Sequence, residues 1–210
     1  MKILIACEES QTVCKAFRKL GHEAYSCDIL PCSGGHPEWH IQGDVFEIIN
    51  QGWNMMIAHP PCTYLSNAGI RWFNEERYGD KARERKVLRL EAMDFVKRLM
   101  DSDIPKIVIE NPVGFLNSQY RKPDQTVQPW FFGDRFNKPT CLWLKNLPKL
   151  VATNIVDKGE MVTHMTKKGV LKTDSKWYYD AFKMPPKERA MFRSKTFQGI
   201  ADAMADQWGK

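Results

Sequence analysis

The chain has 210 residues, of which 43% are hydrophobic and 27% charged, and these proportions exclude a disordered or fibrous protein. Its length suffices for one good hydrophobic core, so we expect a single domain with at most a small appendage. The net charge of +6 and the pI near 9.0 are compatible with a polyanionic partner.

Apolar stretches in the chain are only as long as strands, and the sequence enters a strand-like segment at Met1 without a cleavable signal pattern. Six cysteines without dense regular spacing fit reduced thiols better than a disulfide framework. These features predict a cytoplasmic protein that does not associate with membranes.

The first 28 residues predict a strand, a helix and a second strand. Residues 3–6 form an apolar run, and residues 12–20 place their apolar side chains on one helical face before Gly21. Residues 22–27 then predict a strand that ends at Asp28. This order is typical of a parallel α/β sheet, in which ligands bind at the carboxyl ends of the strands.

The middle of the chain repeats the pattern. Gly43-Asp44-Val45 follows a loop rich in Gly, Pro and His, and the apolar run 53–58 predicts a strand that leads into His59-Pro60-Pro61-Cys62. The charged run 71–86 precedes a predicted helix, and residues 106–109 predict the next strand, which leads into Glu110-Asn111-Pro112.

Beyond Gly114 the pattern is less regular. Residues 128–132 and 140–144 predict strands, joined by a loop that holds Arg135 and Lys138. Residues 151–176 are expected to be irregular. A short helix is expected from Pro185-Pro186, and a final helix over residues 200–208.

Cys62 is the most informative residue of the sequence. The two prolines before it stiffen the backbone and end the strand, so the thiol is presented on a loop. A free cysteine titrates near pH 8.5, and a nucleophilic one therefore needs a nearby cation or a helix N-terminus. Glu110 follows its strand in the same way, so the two strand ends together suggest an active site with a thiol and a carboxylate.

Four short motifs stand in chain order: Asp28, Gly43-Asp44-Val45, Pro60-Pro61-Cys62 and Glu110-Asn111. Together they resemble the motifs of the DNA cytosine 5-methyltransferases, most closely the short members found in phages and prophages. Residues 56–69, with Pro-Pro-Cys followed by Ser66 and Ala68-Gly69, carry the closest match. The resemblance implies an α/β fold with a mostly parallel, doubly wound sheet of the Rossmann-like methyltransferase type.

The resemblance also implies a reaction, the methylation of cytosine at carbon 5 in DNA with S-adenosylmethionine as cofactor. Cys62 would be the nucleophile that adds to carbon 6 of cytosine, and Glu110 would hydrogen-bond or protonate ring nitrogen 3. The resulting enamine would take the methyl group onto carbon 5. In duplex DNA the target base would have to be flipped out of the stack. A bacterial or phage-infected cell would be the setting.

For the cofactor, the resemblance implies that Asp28 bonds the ribose hydroxyls and that Asp44 accepts from the adenine amino group. The turn Ala6-Cys7-Glu8-Glu9-Ser10 departs from the family because it contains no glycine. Glu8 and Glu9 could face the ammonium group of the cofactor or carry charge into the first helical turn. The predicted cofactor-binding residues are Ala6, Cys7, Glu8, Asp28, Ile29, Asp44, Val45 and Pro60.

Substrate contacts are expected from the catalytic loops and from a basic segment. Residues 158–195 hold ten Lys or Arg against four Asp or Glu. Trp177, Tyr178 and Tyr179 could stack on bases or plug the core. We predict a methyltransferase core over residues 1–150, a substrate-contact segment over 151–195 and a closing helix within 196–210. The predicted substrate-binding residues are Pro61, Ser66, Asn111, Arg135 and Lys138.

Three other functions stay open at this point. An amino-methyltransferase acting on exocyclic nitrogens shares a related strand-end motif, but it needs an aromatic residue where Cys62 stands. The same cytosine chemistry on a free nucleotide is suggested by the short recognition segment. A degenerate relative that binds DNA or cofactor without turnover is suggested by the turn without glycine.

Cys27, Cys32, His36 and His40 invite a zinc interpretation. Their spacing lies at the loose edge of known finger patterns, and a Pro-Glu-Trp turn separates the two histidines where no helix would fix them. We therefore predict no metal site.

Overall fold

The computed structural model describes residues 1–166 and 169–210, and within them a seven-stranded mixed sheet, mostly parallel, forms the centre of an α/β fold. The sheet strands are β1 (Lys2–Ala6), β2 (Glu23–Asp28), β3 (His40–Gln42), β4 (Met55–Ala58), β5 (Lys106–Pro112), β6 (Gln125–Val127) and β7 (Thr140–Lys145). A separate antiparallel hairpin is formed by β8 (Met161–Met165) and β9 (Leu171–Ser175).

The helices lie between and after these strands. They are α1 (Thr12–Lys19), α2 (Val45–Ile48), α3 (Glu75–Tyr78), α4 (Asp80–Met100), α5 (Leu116–Gln119), α6 (Lys176–Ala181), α7 (Pro186–Ser194) and α8 (Gln198–Trp208). Short 3-10 turns occupy Pro37–Trp39, Asn67–Phe73 and Pro129–Phe131.

Strand order in the sheet is β3-β2-β1-β4-β5-β7-β6. The strands from β3 to β5 are mutually parallel, whereas β7 runs antiparallel to both β5 and β6. The order reverses between β1 and β4, and a reversal of this kind opens a crevice at the carboxyl ends of the strands. The turn after β1 and the loop after β4 lie on either side of this reversal.

Alternating side chains of each parallel strand pack on opposite faces of the sheet. Ile3 and Ile5 belong to a core with residues of α1 and α8, while Leu4 and Ala6 belong to a second core with residues of α2 and α4. Helices thus cover both faces, which explains why these strands are continuous apolar runs in the sequence. The predicted α/β architecture with a mostly parallel sheet is confirmed, and it is compatible with a Rossmann-like fold.

Several predicted elements are confirmed: the strands at 3–6, 22–27, 106–109 and 140–144, the helix at 12–20, the helix starting at Pro186 and the closing helix. Two predictions are wrong. Residues 128–132 hold a 3-10 turn instead of a strand, because Pro129 starts the turn, and the edge strand β6 comes before it. Residues 151–176 are not irregular throughout, since they contain the hairpin β8–β9.

The charged run before the predicted helix is itself helical. It contains α3 and the first turns of α4, in which Arg83 pairs with Asp80 one turn away and Glu75 contacts both Arg83 and Lys86. Ion pairs on one helical surface explain how so charged a segment forms a helix. No helix within residues 1–166 and 169–210 is both long and apolar enough to cross a bilayer.

Candidate active site

Parallel pairing of β4 with β5 brings His59 and Glu110 side by side. Ala58 pairs with Ile109, and His59 and Glu110 are the next residues on the two strands. His59 Nδ1 lies 2.8 Å from Glu110 Oε2, and the two side chains are only 11% and 15% exposed. Because a carboxylate can only accept, the contact places a proton on Nδ1.

Burial disfavours charge on both groups, yet their mutual attraction outweighs it. The hydrogen bond and the charge of Glu110 raise the pKa of His59, and the charge of Glu8 adds to this shift. The same contact lowers the pKa of the Glu110 carboxyl. Both shifts favour the form of the pair in which His59 is an imidazolium and Glu110 a carboxylate.

Cys62 starts a tight turn that presents its thiol toward this pair. The Cys62 carbonyl accepts hydrogen bonds from the backbone amides of Leu65 and Ser66 at 3.1 and 2.9 Å, and the side chain is half-buried. Burial raises the pKa of the Cys62 thiol, and the Glu110 carboxylate raises it further, whereas the cationic groups of Lys138 and Arg193 lower it. These opposing charges make the thiolate dependent on its cationic neighbours.

Lys138 lies in the loop before β7 and belongs to the same electrostatic cluster. Burial lowers the pKa of its ammonium group, while Glu110 and Cys62 raise it. Its Nζ donates to the carbonyl of Lys195 at 3.1 Å, just beyond α7. The loop before β7 and the end of α7 thus both deliver positive charge to the thiol.

Two arginines of α4 hold the loop that follows Cys62 from behind. Arg85 Nη2 donates to the Thr63 carbonyl at 3.1 Å, and Arg89 Nε donates to the Tyr64 carbonyl at 2.9 Å. The Arg89 guanidinium lies 3.1 Å from the ring centre of Phe73 and is largely buried. A stacked, buried guanidinium that bonds a carbonyl restricts the loop more than a surface contact would.

The segment after β5 secures the other side of the same loop. The Phe115 amide donates to the Leu65 carbonyl at 2.7 Å, and Ser66 forms a bridge with Gly114. Asn111 Nδ2 donates to the Pro60 carbonyl at 2.8 Å, and its Oδ1 is buried with no hydrogen-bond partner in the part of the chain that the structure describes. Pro60 and Asn111 therefore tie together the ends of β4 and β5.

The turn after β1 manages without glycine by placing Cys7 in the left-handed region, at a φ of 60°. Glu8 is 3% exposed and accepts from the amides of Val13 and Cys14 at 2.7 and 3.1 Å. Its carboxylate is thus occupied by the first turn of α1, which is the second of the two alternatives considered for it. Burial raises the pKa of this carboxyl, and His59 and the two amides act against the shift.

Asp28 and Asp44 flank Cys7 at the adjoining strand end. Burial, with Asp28 and Asp44 among the charges that add to it, raises the pKa of the Cys7 thiol to about 12. Asp28 Oδ1 accepts from the Leu30 amide at 2.9 Å, and Asp44 Oδ1 caps α2 through the Phe46 amide at 3.0 Å.

The other residues predicted for the cofactor differ in what they present. Ile29 is 74% exposed, whereas Ala6 and Val45 direct their side chains into the core and Pro60 is buried. Ile29 therefore offers an apolar surface next to Asp28, and the three buried residues present no side chain to a ligand.

Arg135 is not brought to Cys62. It is 71% exposed, pairs with Asp157 at 3.2 Å, and lines a cleft of about 410 Å³ with Trp177 and Phe192. Trp177 Nε1 donates to the carbonyl of Asn137, and its ring packs among Phe136, Phe192 and Phe197. Trp177 therefore anchors the basic segment to the loop before β7. Lys167 and Lys168 of that segment lie outside the described residues.

The residues considered for zinc have other contacts. Cys32 Sγ donates to Gln11 at 3.2 Å, the His36 ring stacks on Trp39, and His40 bonds Ser26. Across residues 1–166 and 169–210, no group of three or more His, Cys, Asp or Glu side chains is arranged to hold a metal ion.

Sequence reasoning missed His59 as a site residue, and it missed Arg89 and Arg193. A histidine at a strand end beside a predicted strand that ends in glutamate was a usable signal for His59. The chain matches no protein-family model, and no curated protein matches it. Its function has to be inferred from the residues of the site.

We predict that Gly114→Ala destabilises the loop carrying Cys62, because a Cβ on Gly114 would overlap the carbonyl oxygen of Leu65. The expected loss is about 1–3 kcal/mol in the free energy of unfolding, measured by urea denaturation. Gly43→Ala is the control, since the nearest atom to its added Cβ is 3.7 Å away. Equal stabilities of the two variants would contradict the packing described.

We also predict that the charge of Lys138 supports the Cys62 thiolate. Lys138→Met should slow alkylation of Cys62 by iodoacetamide at pH 8 by up to about tenfold, because removal of a nearby cation raises the thiol pKa and lowers the fraction of thiolate. Lys138→Arg should react like the wild type, and Glu110→Gln should react faster. Peptide mass spectrometry separates Cys62 from the other five cysteines, and an unchanged rate in Lys138→Met would refute the role.

Proposed function

We propose that this protein is an S-adenosylmethionine-dependent methyltransferase that methylates cytosine at carbon 5 in DNA through a covalent adduct of Cys62. One observation carries the proposal: a thiol beyond the end of β4 and a buried carboxylate within the last residues of β5, which continues past the predicted strand end to Pro112, lie together beside the point where strand order reverses. This is where doubly wound sheets bind nucleotides. The motifs around Cys62 and Glu110, which resemble those of cytosine 5-methyltransferases, supply the choice of reaction.

The residues of the site have complementary roles in this reaction. The Cys62 thiolate forms a bond to carbon 6 of the base, and Glu110 supports the ring at nitrogen 3 as electrons move into it. Lys138 and Arg193 stabilise the thiolate before attack. Phosphates of a nucleic acid would also meet this positive charge, which fits a polyanionic substrate.

The cofactor supplies an electrophilic methyl group, and the crevice between β1 and β4 has groups that suit it. Asp28, half-buried at the end of β2, suits the ribose hydroxyls, and the exposed Ile29 beside it offers a face to adenine. Asp44 is exposed and suits the adenine amino group. The left-handed backbone at Cys7 provides the turn that glycine usually provides.

The covalent step is tested by incubation with a pool of random-sequence duplexes containing 5-fluorocytosine, in the presence of S-adenosylmethionine. We expect a protein–DNA adduct that survives denaturation, because fluorine at carbon 5 prevents release of Cys62. Cys62→Ser should form no adduct. Cys32→Ser, which alters a half-buried thiol outside the site, should form it normally.

Three results would contradict parts of this proposal. Methyl transfer without any adduct, in wild type and Cys62→Ser alike, would favour an amino-methyltransferase. An adduct with 5-fluorodeoxycytidine monophosphate but not with DNA would move the reaction to a free nucleotide. Neither adduct nor methyl transfer, despite cofactor binding, would favour a degenerate binding protein.

The cofactor site is tested by calorimetry with S-adenosylmethionine. Asp28→Ala should weaken binding roughly 10- to 100-fold, as expected for the loss of hydrogen bonds to a charged group. Asp103→Ala is the matched control, because this exposed aspartate precedes β5 and so lies at the amino ends of the parallel strands, opposite the proposed site. Equal affinities for the two variants would place the cofactor elsewhere.

A further inference from the structure

His59 has no task in the reaction described so far, although it is the direct partner of Glu110. The proposed chemistry needs a proton at ring nitrogen 3 of cytosine, but Glu110 is held as a carboxylate by its contact with His59. A carboxylate can only accept hydrogen bonds and has no proton to give. The proton therefore has to come from a neighbouring group.

The geometry singles out His59 as that group. Its Nδ1 is in hydrogen-bond contact with Glu110 Oε2, and its Nε2 is buried without a partner among the described residues. The short contact thus provides a path for a proton to Glu110. Within the described residues Glu110 Oε1 makes no hydrogen bond, so rotation about the terminal torsion of Glu110 would break only the contact with His59.

Charged groups on three elements around the pair act on the pKa of His59. Glu8 in the turn after β1 and Glu110 on β5 both raise the pKa of the imidazole, and Lys138 before β7 opposes them. Cys62 raises the pKa of the Lys138 ammonium group and Arg193 lowers it, so both influence the pair through Lys138. Cys62 also interacts with Glu110 itself, because the Glu110 carboxylate raises the pKa of the thiol. Burial lowers the pKa of the imidazole, but the contact with Glu110 and the charge of Glu8 outweigh burial and Lys138, so the balance of these groups favours a proton on His59.

We propose that His59 and Glu110 act as one acid, in which His59 stores the proton that Glu110 passes to ring nitrogen 3 of the target cytosine. This inference rests on the proposed function and assigns the source of its proton. His59 supplies the proton to Glu110 and does not itself touch the base. It is therefore a positioning residue.

The step balances in atoms and charge. As Cys62 Sγ bonds to carbon 6, the carbon 5–carbon 6 π bond breaks and its electrons move into the ring. The Nδ1–H bond of His59 breaks as an Oε2–H bond forms on Glu110, and after rotation this proton passes to nitrogen 3. His59 ends neutral and Glu110 a carboxylate, while the negative charge of the thiolate is consumed in the neutral enamine. When the addition reverses and the thiolate leaves carbon 6, the proton on nitrogen 3 returns by the same path.

The test is the pH dependence of adduct formation with the 5-fluorocytosine duplex pool. The reactive form needs the imidazolium of His59 and the thiolate of Cys62 at the same time, although the thiol has the higher pKa. The wild-type rate should therefore rise with pH as the thiolate fraction grows, and level off above a lower break where the His59–Glu110 pair begins to lose its proton. It should fall above an upper break set by Cys62. In His59→Gln the amide can still bond Glu110 but cannot store a proton. Its level rate should be roughly 10- to 100-fold lower, and its lower break should move to lower pH, because the introduced amide and the charge of Lys138 still stabilise the Glu110 carboxylate against burial.

His36→Gln is the matched control, because His36 also bonds a carboxylate, that of Glu38 at 3.0 Å, but lies outside the site. It should leave both breaks in place. A lower rate in His59→Gln with an unmoved lower break would mean that His59 is only structural, and it would overturn the inference while the proposed function stands.

A measurement without catalysis decides the pairing itself. NMR titration of the five histidines should show His59 protonated to a higher pH in the wild type than in Glu110→Gln, where only the charge of Glu8 still opposes burial. Identical titrations would refute the pair even if His59→Gln failed to fold. Absence of any wild-type adduct over the whole pH range would overturn the proposed function instead, and the proton relay with it.

Discussion

The in-register parallel pairing of β4 with β5 is the constraint on which the site depends. Once Ala58 lies opposite Ile109, His59 and Glu110 become neighbours, and Pro60-Pro61 lead from His59 to Cys62, whose thiol is close enough to interact with Glu110. Asn111 and Gly114 then fasten the loop to the end of β5. A slip of one residue would turn Glu110 to the opposite face of the sheet. The contact between His59 and Glu110 is therefore set by the register of β4 and β5.

The electrostatics of the site describe a resting state. Burial and Glu110 keep the Cys62 thiol protonated, while Lys138 and Arg193 reduce this penalty. In the proposed reaction the bond from Cys62 Sγ to carbon 6 consumes the thiolate charge, so the repulsion between the thiolate and Glu110 ends as the adduct forms. In the proposed relay His59 gives up its proton in the same step, which links acid assistance to the attack.

Local sequence signals predicted the parts of the fold that are local in origin. Apolar runs located the central strands because these are buried on both faces, and Pro60-Pro61 marked the strand end before Cys62. The sequence did not predict the edge strand β6, which is only three residues long, or the hairpin strand β8, in which exposed and half-buried residues alternate. The roles of Arg89 and Arg193 depend on how α4 and α7 pack against the loop, which no local pattern records. Arg135 and Lys138 looked equivalent in sequence, and only the path of the loop before β7 separates them.

The most direct test of the central claim is the identity of the product. Double-stranded DNA of mixed sequence would be incubated with the wild-type protein and isotopically labelled S-adenosylmethionine, digested to nucleosides and analysed by mass spectrometry. The account predicts that the label appears in 5-methyldeoxycytidine and that Cys62→Ser produces none. Label in a base methylated on an exocyclic nitrogen, formed equally well by Cys62→Ser, would contradict it.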